Sequence, residues 1–272
     1  MKFYFTSLNS SVATKIKNKY QHKYGQSKPE KSDVIVPIGG DGFLLKTLHD
    51  YKKFKKSFYG INCGSIGFLM NNESKINLEE IIKTSQKIKL KPLNMIAKNN
   101  KYEKFESIAF NEVSLMRQTH QAAKIKIEIN NIERMNELIC DGILVSTAAG
   151  STAYNLSAHG SIIPLESKLL ALTPISAFRP RRWRGALLSE KTKIKFFIKN
   201  NNYRSVSVTA DQWTEEDISN SSTGVTVVAS ERVKINGIGT NMGLIISNSS
   251  IYDKPITLQG GIVEYSDRGI RR

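Results

Sequence analysis

Several short stretches of the 272-residue chain bring together residue types that can do chemistry. Gly39-Gly40-Asp41-Gly42 is the sharpest. Glycines let backbone N–H groups approach phosphate oxygens, and a helix starting just after them adds the positive end of its dipole. An acid inside such a loop repels an anion. Asp41 suits a metal-associated group, or a base that takes a proton from a hydroxyl nucleophile. The plain alternative is a tight turn in which glycine supplies positive φ and Asp41 caps the helix. GxxxxGKS/T is absent and no GxGxxG follows a strand, so neither a P-loop nor a dinucleotide fingerprint is present. The run DGILVSTAAGSTAYNLSAHG from Asp141 goes from an apolar strand into a loop of small and hydroxyl residues, then to Tyr154. Small residues permit close approach of a ligand, and Tyr154 can stack on a base. The alternative is an ordinary loop with Ser151 or Thr152 as a helix N-cap. A hydrolase built on Ser151 and His159 lacks a GxSxG elbow.

Asn111-Glu112 places a carboxamide beside a carboxylate between two strand-like runs. That pair suits an adenine edge and a ribose diol, and equally a polar bulge at a sheet edge. Arg179-Pro180-Arg181-Arg182-Trp183-Arg184 is the densest basic run. One such run without further aromatic interleaving reads as a solvated face or subunit contact more readily than as a nucleic-acid surface. His22, His49, His120 and His159 show no metal-ligand spacing.

The elements that must position these residues change character along the chain. Residues 2–6 read as a strand, 9–24 as a basic amphipathic helix, and 33–38 as a short apolar run of the buried parallel kind. The glycine turn and a helical FLLKTLHDY follow, which is the β–loop–α unit where α/β folds place phosphate sites. Residues 58–62 read as the next strand, CGSIGF as a turn, and 78–88 as a helix. Beyond about residue 91, short strands dominate, at 105–110, 113–116, 125–129, 142–146, 194–198, 205–209 and 225–229. GIGTNMGLIISNSS, at 237–250, is strand-like. The expectation is an N-terminal α/β domain with a parallel sheet and the GGDG loop over 1–95, then a β-rich domain over 96–272.

Composition bounds the class. With 40% hydrophobic and 24% charged residues, collagen-like, low-complexity and wholly disordered chains are ruled out. Cys63 and Cys140, the two cysteines, are too few for a disulfide framework and suit a reduced cytosol. No run approaches the roughly 18 apolar residues of a membrane helix, and the N-terminal apolar run breaks at Thr6, so a cytoplasmic, soluble protein is expected. Forty Lys and Arg against 24 Asp and Glu give a net charge of +16, which favours anionic partners. Lys, Ile and Asn are all abundant and all have A/T-rich codons, so base composition explains that charge without a function.

Taken together, these residues resemble the NAD kinase family. The resemblance rests on GGDG at 39–42, the GxxGF turn at 64–68, Asn111-Glu112, the DGILVSTAAGSTAYNLSAHG run, LTPISAFRPRRWRGALL and Ala210-Asp211-Gln212, in matching order over about residues 33–213. The family phosphorylates the 2′-hydroxyl of the adenosine ribose of NAD with ATP, or in some members polyphosphate, to give NADP. The resemblance implies that Asp41 accepts the hydroxyl proton and that Gly39, Gly40 and Gly42 cradle phosphates. It further implies NAD contacts from Asp41, Gly42, Asn111, Glu112, Asp141, Ala149, Thr152, Ala153, Tyr154, Asn155, Leu156, Ser157 and Gln212. Asp211 helps to close the site in this reading, and Lys46, Lys124 and Asp211 are weaker contact candidates. A divalent metal, Mg2+, travels with ATP and has no fixed protein site. The implied partners are NAD, ATP and further copies of the chain, as a tetramer or dimer, with no membrane and no specific nucleic acid. Phe43 stands where the family often has Thr, and Ala148 where it often has Pro. The rival readings are a GGDG-type lipid or sugar kinase and a basic nucleic-acid-binding protein.

Overall fold

The computed structural model describes residues 1–64, 67–99, 103–199, 204–215, 225–229 and 233–236. Two units divide the chain: Met1–Lys87, to which Ile235 and Asn236 return, and Ile88–Lys234. The division thus falls at 87/88, where the sequence reading set it at 95/96.

In the first unit, β1 (Phe3–Ser7), β2 (Val34–Gly39), β3 (Ser57–Phe58) and β4 (Ile61–Asn62) form a parallel sheet with β2 at its centre. All six residues of β2 are buried, as the unbroken apolar run required. Helix α1 (Ser11–Tyr24) starts where the Ser10 hydroxyl accepts from Ala13 N at 3.2 Å, and ends at Gly25 with φ +74°. Its buried face, Ala13 and Tyr20, joins Phe3, Phe5, Val36 and Ile38 in one core. Helix α2 (Asp41–Tyr51) buries Leu44, Thr47 and Leu48, spaced to fall on one stripe. Helix α3 (Leu78–Thr84) is shorter than its expected span to 88. Ser85 turns extended, and the alternation of Lys and Ile in 87–90 makes β5 (Lys87–Leu90) instead.

The second unit is built of antiparallel strands: β6 (Leu93–Lys98), β7 (Lys104–Ala109), β8 (Glu112–Arg117), β9 (Ala123–Ile129), β10 (Ile132–Cys140), β11 (Gly142–Ser146), β12 (Leu169–Ile175), β13 (Ala186–Ser189), β14 (Ile194–Ile198), β15 (Val206–Ala210), β16 (Trp213–Glu215) and β17 (Val225–Ala229). A further strand, β18 (Val233–Asn236), pairs with β5. One six-stranded sheet runs β10-β9-β14-β17-β6-β7 and the other β13-β12-β11-β8-β15-β16. The inward residues of both, among them Met95, Leu115, Ile127, Val145, Phe196 and Val208, make one shared core. This is the expected β-rich unit, and it holds strands that the sequence reading passed over. Residues 93–98, not among the expected strands, form β6: Asn94 faces out while Leu93, Met95 and Ala97 alternate inward. Strand β10 carries register shifts between Glu133 and Met135 and between Met135 and Leu138, which break the alternation a reader looks for. The segment 237–250 lies outside the described residues. Among the described residues, no helix is long and apolar enough to cross a membrane.

Candidate functional site

Strand β2 ends on Gly39, Gly40 is the N-cap of α2, and Asp41 is its first residue. The caps therefore differ from the plain alternative: Gly40 has φ −115°, no side chain caps the helix, and none of the loop's glycines has positive φ. What these glycines supply is room. A Cβ on Gly39 would lie 2.8 Å from Phe43 Cβ, while one on Gly40 or Gly42 would stand in open space beside the helix N-terminus. Asp41 is half-buried and accepts from Phe68 N at 2.7 Å and Leu69 N at 3.1 Å, while Ser65 and Ile66, within the stretch read as a turn, lie outside the described residues. The two motifs read separately in the sequence are thus joined by one carboxylate. Lys46, on α2, is exposed.

In the second unit, β8 runs antiparallel to both β11 and β15, so the start of β8 meets the ends of its two neighbours. That topology brings Asn111-Glu112, the loop from Thr147 and the turn at Asp211 to one end of the sheet. The Asp211 carboxylate accepts from Phe110 N at 2.6 Å, Asn111 N at 3.0 Å and Glu112 N at 3.3 Å. From the other side, Thr147 Oγ1 donates to Phe110 O at 2.7 Å and Thr147 N to Asn111 O at 2.9 Å. Among the described residues Glu112 Oε2 is buried without a hydrogen-bond partner. Burial, and after it the Asp211 charge, pushes the Glu112 carboxyl up from 4.5 to about 7. A desolvated carboxylate oxygen with no donor is costly to keep, and it is what a ligand hydroxyl would satisfy.

The opposite end of the β8–β11 pair carries Asp141. Its Oδ1 accepts from Arg117 Nε at 2.6 Å, and Gly142 faces Met116 in register. Four residue steps separate Gly142 from Ser146, which stands opposite Glu112, so the two ends lie about 14 Å apart along the strand. Tyr154, exposed on the single helical turn α4 (Tyr154–Ser157), puts its hydroxyl 3.6 Å from Met116 Sδ and so belongs to the Asp141 end. Leu156, Ser157 and Gln212 are exposed, Thr152 and Ala153 half-buried, and Ala149 buried.

The small residues of this run largely serve the protein itself. A Cβ on Gly150 would lie 2.2 Å from Asn111 O, one on Gly142 2.2 Å from Leu115 O, and one on Gly160 2.0 Å from Asn155 Oδ1. Ser151 is no N-cap: its hydroxyl donates to Ala148 O at 2.7 Å and accepts from Ile163 N at 3.0 Å. Asn155 is fully buried, giving Nδ2–H to Ser151 O and Ser161 O and accepting from Thr173 Oγ1 at 2.7 Å. Its side chain holds the turn that presents Tyr154. Lys124 pairs with Glu137 at 3.4 Å. Sequence reasoning missed Arg117, Met116 and Thr147. Thr147 stood in the run from Asp141 with no mark of its own, and only strand register places Arg117 against Asp141. Gly150→Ala is expected to push the Asn111 carbonyl aside, at a cost of about 1–3 kcal/mol in a thermal melt.

The profile of the ATP-NAD kinase C-terminal domain matches residues 110–235. The chain is 50% identical over 195 residues to NAD kinase of Caulobacter vibrioides, covering 72% of this chain and 75% of that one. It is 47% identical over 214 residues to NAD kinase of Xylella fastidiosa, covering 79% and 82%, and 53% identical over 188 residues to that of Rickettsia canadensis, covering 69% and 74%. Among solved structures, yeast NADH kinase complexed with NADH superposes with a TM-score of 0.69 at 18% identity, covering 87% of this chain and 83% of that one. An NAD kinase from Archaeoglobus fulgidus in complex with ATP gives 0.67 at 21%, covering 86% and 93%. Those two share the fold, and the identities to the bacterial relatives settle the lineage: the chain belongs to the NAD kinase family.

Proposed function

We propose that this enzyme transfers the terminal phosphoryl group of ATP to the 2′-hydroxyl of the adenosine ribose of NAD, giving NADP and ADP. The observation that carries the site assignment is the corner at Asn111-Glu112. Its backbone is fixed from two sides while a buried carboxylate oxygen is left for a ligand to satisfy. In this reading Asn111 takes the adenine edge, Glu112 accepts from ribose hydroxyls, and Asp141 with Tyr154 contacts the dinucleotide about one short strand away. The open positions at Gly40 and Gly42 and the N-terminus of α2 take phosphate. Asp41 keeps one lone pair on each oxygen after binding Phe68 N and Leu69 N, so it retains the capacity to accept the hydroxyl proton. Phosphoryl transfer asks little more of the protein than positioning and charge neutralisation.

Among the described residues no group of three or more His, Cys, Asp or Glu gathers as a metal cage. In this reading the divalent ion, Mg2+, enters with ATP because the transferred phosphates carry the charge it neutralises. Chelation with EDTA is expected to abolish NADP formation and added Mg2+ to restore it, read by a coupled NADP-specific dehydrogenase. The same assay with NAD, ATP and Mg2+ tests the reading itself. No product with either ATP or polyphosphate would sink it. The reading extends to a cytoplasmic homo-oligomer. What supports self-association is the sheet edge at β13, where Leu187 is exposed, together with exposed Leu169 on β12 and Phe178 beyond it. Specific activity that stays constant on dilution while the chain sediments as a monomer would exclude the oligomer.

A further inference from the structure

The sequence groups Asp211 with the residues that close the site, and its geometry gives it different work. We propose that Asp211 is a positioning residue: it does not touch the dinucleotide, and with Thr147 as a second anchor it holds the Asn111-Glu112 backbone in the shape that presents both side chains. This rests on the reading of those two residues as nucleotide contacts.

Every backbone polar group from 110 to 112 has its partner in this frame. The N–H groups of Phe110, Asn111 and Glu112 all donate to the Asp211 carboxylate. Phe110 O accepts from Thr147 Oγ1, Asn111 O from Thr147 N, and Glu112 O from Asp211 N at 3.2 Å. Gly150 N in turn donates to Thr147 Oγ1 at 3.0 Å, which ties the loop after β11 to the same corner. Converging N–H groups on one carboxylate make charge-assisted bonds, about twice as strong as neutral ones. Asp211 reaches this position from a turn with φ +53°, a left-handed conformation that Asp and Asn tolerate better than most residues. The arrangement also explains how Glu112 keeps a buried oxygen without a donor. A backbone free to move would rotate that carboxylate toward water, and the clamp prevents it.

Asp211→Asn is the decisive variant in the full chain, because Asn keeps the turn and the volume but offers one acceptor oxygen and turns an NH2 toward one of the three amides. NAD binding is measured by calorimetry, with steady-state kinetics for both substrates. The expected result is a rise of about tenfold or more in Kd and KM for NAD. At saturating NAD, kcat stays within about threefold and KM for ATP is unchanged, as removal of a uniform binding contribution predicts. Thr147→Val is expected to weaken NAD in the same way, and Thr147→Ser, which keeps the hydroxyl, to restore it. A folded Asp211→Asn with unchanged NAD affinity, or with equal losses in kcat and both KM values, overturns the proposal. Should that variant not fold, the Thr147 pair decides, and unchanged NAD affinity in Thr147→Val overturns it. A wild type that fails to bind NAD overturns the underlying reading, whereas an active wild type with unaffected variants overturns this proposal alone.

Discussion

Asp41→Asn is expected to lower kcat by at least about 10²-fold while KM for NAD changes little. Two things are lost together. Asn is no base toward a ribose hydroxyl, and its NH2 must face either Phe68 N or Leu69 N, both of which now donate to the carboxylate. The second loss loosens the hold on Phe68 and Leu69, so a control separates the two. Displacement of those two residues by the substitution raises KM for ATP and lowers the melting temperature, whereas loss of the base alone leaves both in place and lowers kcat. Single-turnover measurement at saturating substrates reads the chemical step directly. An unchanged kcat in this variant would remove Asp41 from the proton transfer and leave it only as the tether between the glycine loop and the turn.

Glu112→Gln should stabilise the fold above neutral pH and weaken NAD binding. The Glu112 carboxyl is raised from 4.5 to about 7, first by burial and then by Asp211. Folding therefore favours its protonated form. The folded state binds more protons than the unfolded between those two values, so stability falls as pH rises from about 4.5 through about 7, and the penalty is complete above that. At about 1.4 kcal/mol per pKa unit, removing the ionisable group gives back at most about 3 kcal/mol at pH 8 and close to nothing at pH 4. Thermal melts of both proteins at those two pH values check the sign. Binding moves the other way. If ribose hydroxyls donate to the ionised carboxylate, wild-type affinity for NAD falls as pH drops through about 7, and the Gln variant loses about tenfold or more and is flat with pH. Wild-type affinity that does not change between pH 6 and 8 would separate Glu112 from the ribose. A residue that costs stability and supplies binding fits the usual trade between the two at functional sites.

Much of this protein could be read along the chain because local rules and the fold agree. The run at 34–38 is apolar throughout and β2 is buried throughout, with the glycine loop following it where a parallel sheet places a ligand loop. The corner at Asn111-Glu112 and the run from Asp141 were visible as polar residues at strand ends. Order and spacing of these motifs were enough for the family. The sequence reading went astray where composition masked alternation, as in 93–98, or where bulges broke it, as in β10.

The sequence by itself determined which residue types are available: a carboxylate among glycines, a carboxamide beside a carboxylate, hydroxyls near a tyrosine. Only the tertiary structure decided what each of them does, because hydrogen-bond partners far apart in the chain are chosen by strand register and not by neighbours. Register set Arg117 against Asp141, and tertiary packing placed Asn155 inside where its carboxamide holds a turn and gave Asp41 the amide of Phe68, 27 residues away. It also carried Asp211 101 residues back along the chain to Phe110. A carboxylate with amides in reach becomes an anchor, and one like Glu112, buried with an oxygen unpartnered, keeps an acceptor that the proposed ligand would satisfy.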